Sequence, residues 1–353
     1  MWAFFWFWIY GICTWMFFYD LWRIMKIFNL HIHYYILLWI SLLLALGSFF
    51  TVWYAWENTV LIVLWTLSSW LFVLSFLLLI VFLIEHVISI WYKINPWVML
   101  WIIIVFIISW VFFSLHTKIT TLDITSDKLE KDTKILLISD IHVDYVINQY
   151  HLRTIWNLIE KENPDMVLIA WDLLNRPYPW YVNAYTYFKD KYENIPILAI
   201  MWNHDVMWDR GVYQKISEVS PIVFLDNEST EINWIQVVWI VDKSVRGQNT
   251  LEHDLDETDL DKSWEKFTIL MTHQPIALEK LKEYPIDLEV AWHTHRGQIY
   301  WFRKIVELMN DYGYWKFEKN WKTAFVTQWI WTWWLPFRLW TQSEAVIINL
   351  KKK

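Results

Sequence analysis

The chain has 353 residues and a formal net charge of -7, which leaves room for two domains and argues against a general nucleic-acid binder. Its single cysteine, Cys13, excludes an internal disulfide framework. Glycine is scarce: there are 6 Gly beside 31 Trp, where average usage of roughly 7% would supply about 25 glycines.

The first third is apolar. Four runs, residues 2–18, 35–54, 60–91 and 97–115, are nearly free of charge. A helix crossing the hydrocarbon core needs roughly 17–25 such residues, so these runs predict an all-α transmembrane region of about four helices over residues 1–118. Four runs also exclude a secretory signal peptide, which has one short apolar segment. Arg23 and Lys26 follow the first run, and Lys93 precedes the last. Positive charge favours the cytoplasmic side. The expectation is therefore a multi-pass protein of the cytoplasmic membrane, with everything after Leu115 on the outer face.

From about Ile119 charges become frequent, and residues 119–353 read as one α/β domain. The segment "KILLIS" (134–139) predicts a buried strand. "QYHLRTIWNLIEKEN" (149–163) has apolar residues at helical spacing. "DMVLIA" (165–170) predicts a second strand, residues 182–194 a helix, and "IPILAI" (195–200) a third strand. Strands alternating with helices imply a parallel sheet, and such sheets present ligand-binding residues at the carboxyl ends of their strands. Further on, "EHDLDETDLD" (252–261) lacks the spacing of a calcium loop and reads as a solvated helix or loop. The closing Lys351–Lys353 run reads as a frayed tail.

Five apolar strands end in groups able to bind metal. The first ends in "SDIHVD", with Asp140 and His142 two apart and so on one side of an extended chain. The second delivers Asp172, the third Asn203 and His204, a later one His273, and the last, "LEVAWHTHRGQ", His293 and His295. Any one of these pairs is incidental on its own; five strand ends carrying them together are not.

The order D-x-H, [G]-D, [G]-N-H-D, H, [G]-H-x-H resembles the calcineurin-like metallophosphoesterase superfamily, in its membrane-linked bacterial branch. Trp171, Trp202 and Trp292 stand where that pattern has Gly. The tail "FVTQWIWTWWLPFRLW" is similar to the end of that branch, with Trp329, Trp331 and Trp334 again in glycine places. The resemblance implies an α/β domain built as a β-sandwich flanked by helices. It also implies two divalent metal ions of the Mn, Fe or Zn class, Mn favoured. Asp140, His142 and His295 would hold one ion, Asn203, His273 and His293 the other, with Asp172 bridging. His204 would act as general acid. Asn175 stands where related enzymes often place an Asp to orient that His, and Arg296 stands where Gly is expected and could meet substrate phosphate.

The excess of Trp has one economical reading. "EINWIQV" and "EKNWKTAFV" each place Asn-Trp between strand-like segments, where Asn-Gly is the favoured type I′ pair and both residues need positive φ. Many Trp letters are therefore expected to stand for Gly, through a UGA codon read as glycine.

These readings combine into a membrane-anchored, binuclear metal-dependent phosphoesterase that hydrolyses a phosphomono- or diester by metal-activated hydroxide. Tethering at the lipid bilayer makes a lipid-linked ester a candidate substrate, and no nucleic-acid partner is expected. The alternatives are a phosphodiesterase of soluble nucleotides and a catalytically silent membrane receptor or scaffold of the same fold.

Overall fold

The computed structural model describes residues 2–54, 71, 74–76, 78–88, 95–139, 148–170, 185–186, 192, 194–200, 210–240, 250–292, 304, 308, 312–328 and 342–353. The chain divides into two compact units, an N-terminal one over Met1–Val111 and a second over Phe112–Trp333 and Arg338–Lys353.

The N-terminal unit is helical. Its long elements are α1 (Trp2–Ile27), α2 (Tyr34–Tyr54) and α3 (Pro96–Leu115), and residues 78–88 are helical too. The expected four-helix transmembrane region is not what the structure shows. Among the described residues no helix is long and apolar enough to cross a membrane; much of the expected third span, residues 60–91, lies outside the described residues. The multi-pass placement and the outward-facing domain rested on those spans and fall with them. For α1 and the segment packed on it, polar groups supply a physical reason. Asp20 on α1 is buried and accepts a hydrogen bond from Ser75, and Arg23 pairs with buried Glu85. Charged groups of this kind are costly in hydrocarbon. Burial pushes the Asp20 carboxyl up to about 7, against the lowering effect of the Ser75 hydroxyl.

The second unit holds two six-stranded sheets. The first has the order β1-β12-β2-β3-β4-β5, comprising β1 (Thr117–Ser126), β2 (Thr133–Ser139), β3 (Met166–Ala170), β4 (Ile197–Ile200), β5 (Ile222–Leu225) and β12 (Ser343–Lys352). The second has the order β10-β11-β9-β8-β7-β6, with β6 (Ser229–Ile232), β7 (Ile235–Trp239), β8 (Phe267–Met271), β9 (Leu288–Ala291), β10 (Trp315–Lys319) and β11 (Lys322–Val326). The α/β half of the expected fold stands. β2 to β5 run parallel, as do β7, β8, β9 and β11. The unbroken apolar runs of β3 and β4 follow from burial on both faces.

Alternation along β2 divides the core. Leu136 and Ile138 face helix α4 (Asn148–Glu162), packing with Leu152, Ile155 and Ile159 at helical spacing. Ile135 and Leu137 face the second sheet, meeting Ile269, Met271, Leu288, Val290 and Phe325. A third cluster covers the outer face of the second sheet with Leu255, Leu278 and Leu281. Helix α4 stops at Asn163, whose φ of 43° is the left-handed conformation that ends helices, and Pro164 follows. Helix α5 (Arg210–Val219) buries Tyr213 and Ile216 in the first cluster.

Both expected hairpins form. Ile232 pairs with Ile235 and Lys319 with Lys322, leaving two-residue turns. Asn233, Trp234, Asn320 and Trp321 have φ of 51°, 65°, 48° and 61°, the positive values that a type I′ turn requires.

Two expectations need amendment. The acidic stretch contains helix α6 (Leu251–Glu257), capped by Thr250, whose hydroxyl oxygen accepts from the His253 amide at 3.2 Å. It is not wholly solvated, since Asp254 is buried. The terminal lysines are not frayed either. Lys351 and Lys352 pair with Thr125 and Ser126, and the Lys353 amide donates to the Ser126 carbonyl at 3.1 Å.

Candidate metal centre

The register of the strands aligns their ends. In the first sheet Ser139 pairs with Ala170 and Ile169 with Ala199, so β2, β3 and β4 finish along one edge. Asp140 and His142 follow β2, Asp172 follows β3, and Asn203 and His204 follow β4. In the second sheet Met271 pairs with Val290. His273 follows β8 by two residues, and His293 and His295 follow β9. Every proposed ligand thus lies within four residues of the carboxyl end of a parallel strand. Asp140, His142, Asp172, Asn175, Asn203, His204, His293, His295 and Arg296 themselves lie outside the described residues.

His273 is described, and it is 6% exposed. Its carbonyl accepts from the Trp292 amide at 3.3 Å, and its ring meets the buried Trp292 indole edge-on at 6.4 Å. The segment ahead of it is tied down. The Thr272 amide donates to the Val290 carbonyl at 3.0 Å. The Thr272 hydroxyl and the Ile276 amide both donate to Glu289 Oε1, at 2.9 and 2.6 Å. Glu289 is fully buried in β9. Burial pushes its carboxyl up to about 8, while these two hydrogen bonds pull the other way.

The two sheets are joined at both ends. At the carboxyl edge, Glu344 at the start of β12 accepts from Thr120 on β1 (2.5 Å) and from the Tyr314 hydroxyl (2.9 Å). Its other oxygen accepts from the Thr327 hydroxyl (3.0 Å) and the Gln328 amide (3.2 Å), just past β11. At the amino edge, Lys128 Nζ reaches Asp287 Oδ1 at 2.8 Å, joining the approach to β2 with the approach to β9. The carboxyl ends of both parallel sets therefore lie on the same side of the sandwich.

Sequence reading missed Glu289 and Glu344. Each is a lone acid within a strand, and such a residue reads as solvent-facing until a second layer is seen to cover it. The available signal was an acid embedded in an otherwise apolar run, "LEVA" and "SEAVIINL".

Imidazole, carboxylate and amide side chains without thiolate suit Mn, Fe or Zn, and the strand ends that these residues follow in the sequence are braced by buried hydrogen bonds. Residues 133–306 match the family model described as calcineurin-like phosphoesterase, and this part of the chain is a calcineurin-like metallophosphoesterase domain.

Among its relatives is an uncharacterized metallophosphoesterase of Helicobacter pylori, 28% identical over 67% of this chain and 64% of that protein. One from Campylobacter jejuni is 26% identical over the same shares. A Danio rerio protein named transmembrane protein with metallophosphoesterase domain is 25% identical, over 67% of this chain and 57% of its own length. The chain thus spans less than two-thirds of the length of these relatives.

Proposed function

We propose that the chain hydrolyses a phosphomono- or diester with two divalent cations, Mn²⁺ favoured. Asp140, His142 and His295 hold one, Asn203, His273 and His293 the other, and Asp172 lies between them. A bound pair of this kind lowers the pKa of water and neutralises phosphoryl oxygens. The chain's own groups do the rest. His204 delivers a proton to the departing oxygen. Asn175 orients that ring, but as a neutral amide it gives imidazolium no charge to lean on. Arg296 offers its planar fork to phosphate.

The observation that carries this reading is the alignment of five strand ends, three in one sheet and two in the other, on the edge where Glu344 joins the sheets. A lipid-linked ester falls with the membrane tether; a soluble ester or nucleotide fits the same chemistry. A chromogenic phosphodiester assay with Mn²⁺ tests the proposal, comparing the protein with His204→Ala and His273→Ala. A metal-dependent rate lost in both variants supports it. No metal-dependent rate in the unaltered protein favours the silent scaffold.

A further inference from the structure

The centre proposed above draws Asp140, His142, Asp172 and Asn203 from the first sheet and His273, His293 and His295 from the second. Its span is set by whatever fixes the distance between the two carboxyl edges. Glu344 contacts both. In the antiparallel register of β12 with β2, Val346 pairs with Leu137, so two residues on, Glu344 lies opposite Ser139, the neighbour of Asp140. Its Oε2 accepts from Thr327 and Gln328. The Thr327 amide in turn donates to the carbonyl of Ala291 at 2.9 Å, two residues before His293. A carboxylate 1% exposed and met by four donors is a stiff connection, because any displacement of one sheet edge strands a buried polar group.

The geometry points to Glu344 as a positioning residue that sets the separation of the two ligand sets. It acts through the strand ends and touches no reacting atom. This inference rests on the metal reading above. Glu344→Gln keeps the shape but turns an NH₂ group toward two of the donors. The control is Lys128→Met, which breaks the opposite edge and leaves the carboxyl edge alone.

Manganese titration of the full chain by calorimetry, beside thermal unfolding, tests it. Glu344→Gln is expected to weaken Mn²⁺ binding roughly 10–100-fold, the range for outer residues that orient ligands. Lys128→Met is expected to lower the melting temperature and leave affinity within about twofold. If Glu344→Gln binds as the unaltered protein does, or if both variants lose affinity in step with melting temperature, the positioning role is overturned and the metal centre stands. If the unaltered protein binds no Mn²⁺, the metal reading itself is lost.

A separate observation concerns the backbone. Among the described non-glycine residues with positive φ, all are asparagines or one aspartate except Trp234, Trp264, Trp315 and Trp321, at 65°, 66°, 87° and 61°. Asn and Asp tolerate this region; a bulky side chain does not. All four Trp are exposed, so no burial of the indole compensates. We infer that glycine is the natural residue at these four positions. The coding DNA and the peptide masses of the protein from its own cells test this. UGA codons and glycine masses are expected at these sites; UGG codons or tryptophan masses overturn it.

Discussion

Thr272 donates its hydroxyl hydrogen to Glu289 at 2.9 Å, one residue ahead of the proposed ligand His273. The carboxyl that receives it is fully buried, and its proton is held up to about pH 8 against an ordinary 4.5. The fold therefore favours the protonated form. Stability from this group is complete below about pH 4.5 and is lost as pH rises towards 8. Thermal unfolding of the metal-free protein between pH 5 and 9 is expected to show this decline, and Glu289→Gln, which cannot ionise, is expected to flatten it. Parallel curves for the two proteins would refute the assignment.

Replacing Trp234 or Trp321 with Gly in protein made from the printed sequence is expected to stabilise it. Each relieves a non-glycine residue of the left-handed region, worth about 1 kcal/mol or somewhat more. Alanine at the same positions keeps a Cβ and is expected to recover little of this. Denaturant midpoints distinguish the two outcomes.

Lys128 and Asp287 form a half-buried pair at 2.8 Å, and the Asp287 carboxyl also accepts from the Thr268 amide at 2.9 Å. Burial raises the Asp287 pKa, and Lys128 holds it down. Lys128→Met removes the cation hydrogen-bonded to this buried carboxylate, leaving only the Thr268 amide and the field of Lys322 to hold its charge, and is expected to cost about 2–3 kcal/mol. Acidification should restore part of the loss, because protonation removes the stranded charge. Adding Asp287→Asn to the variant should do so at neutral pH.

Chelation with EDTA is expected to abolish phosphodiester hydrolysis, and Mn²⁺ to restore it. His273→Ala should need roughly 10–100-fold more metal for half-maximal rate. His204→Ala should bind metal normally and lose about 10²–10⁴ in rate. Metal titrations at saturating substrate separate these two signatures.

How much of this was readable beforehand depended on locality. β2, β3 and β4 showed themselves as continuous apolar runs, because a strand covered on both faces has no polar side to alternate with. The hairpins at Asn233 and Asn320 were readable because their backbone geometry is dictated by two adjacent positions. The pairing of β1 with β12 was not, since Thr117 and Ser343 are partners across most of the chain and nothing near either announces the other. The apolar runs of the N-terminal third misled for a related reason. Composition reports how greasy a segment is, but not that Asp20, Arg23, Ser75 and Glu85 will find one another. Glu289 and Glu344 were overlooked because an acid on a strand declares its burial only once the second layer is in place.

The position of β12 between β1 and β2 has a consequence for biogenesis. The first sheet lacks its second strand, the one that joins edge strand β1 to β2, until Ser343–Lys352 leaves the ribosome. Until then β1 and β2 each expose an unpaired edge to other nascent chains. Emergence of β12, rather than the earlier local contacts, is the event that closes this half of the sandwich, so chaperone occupancy during synthesis should persist until β12 has been made.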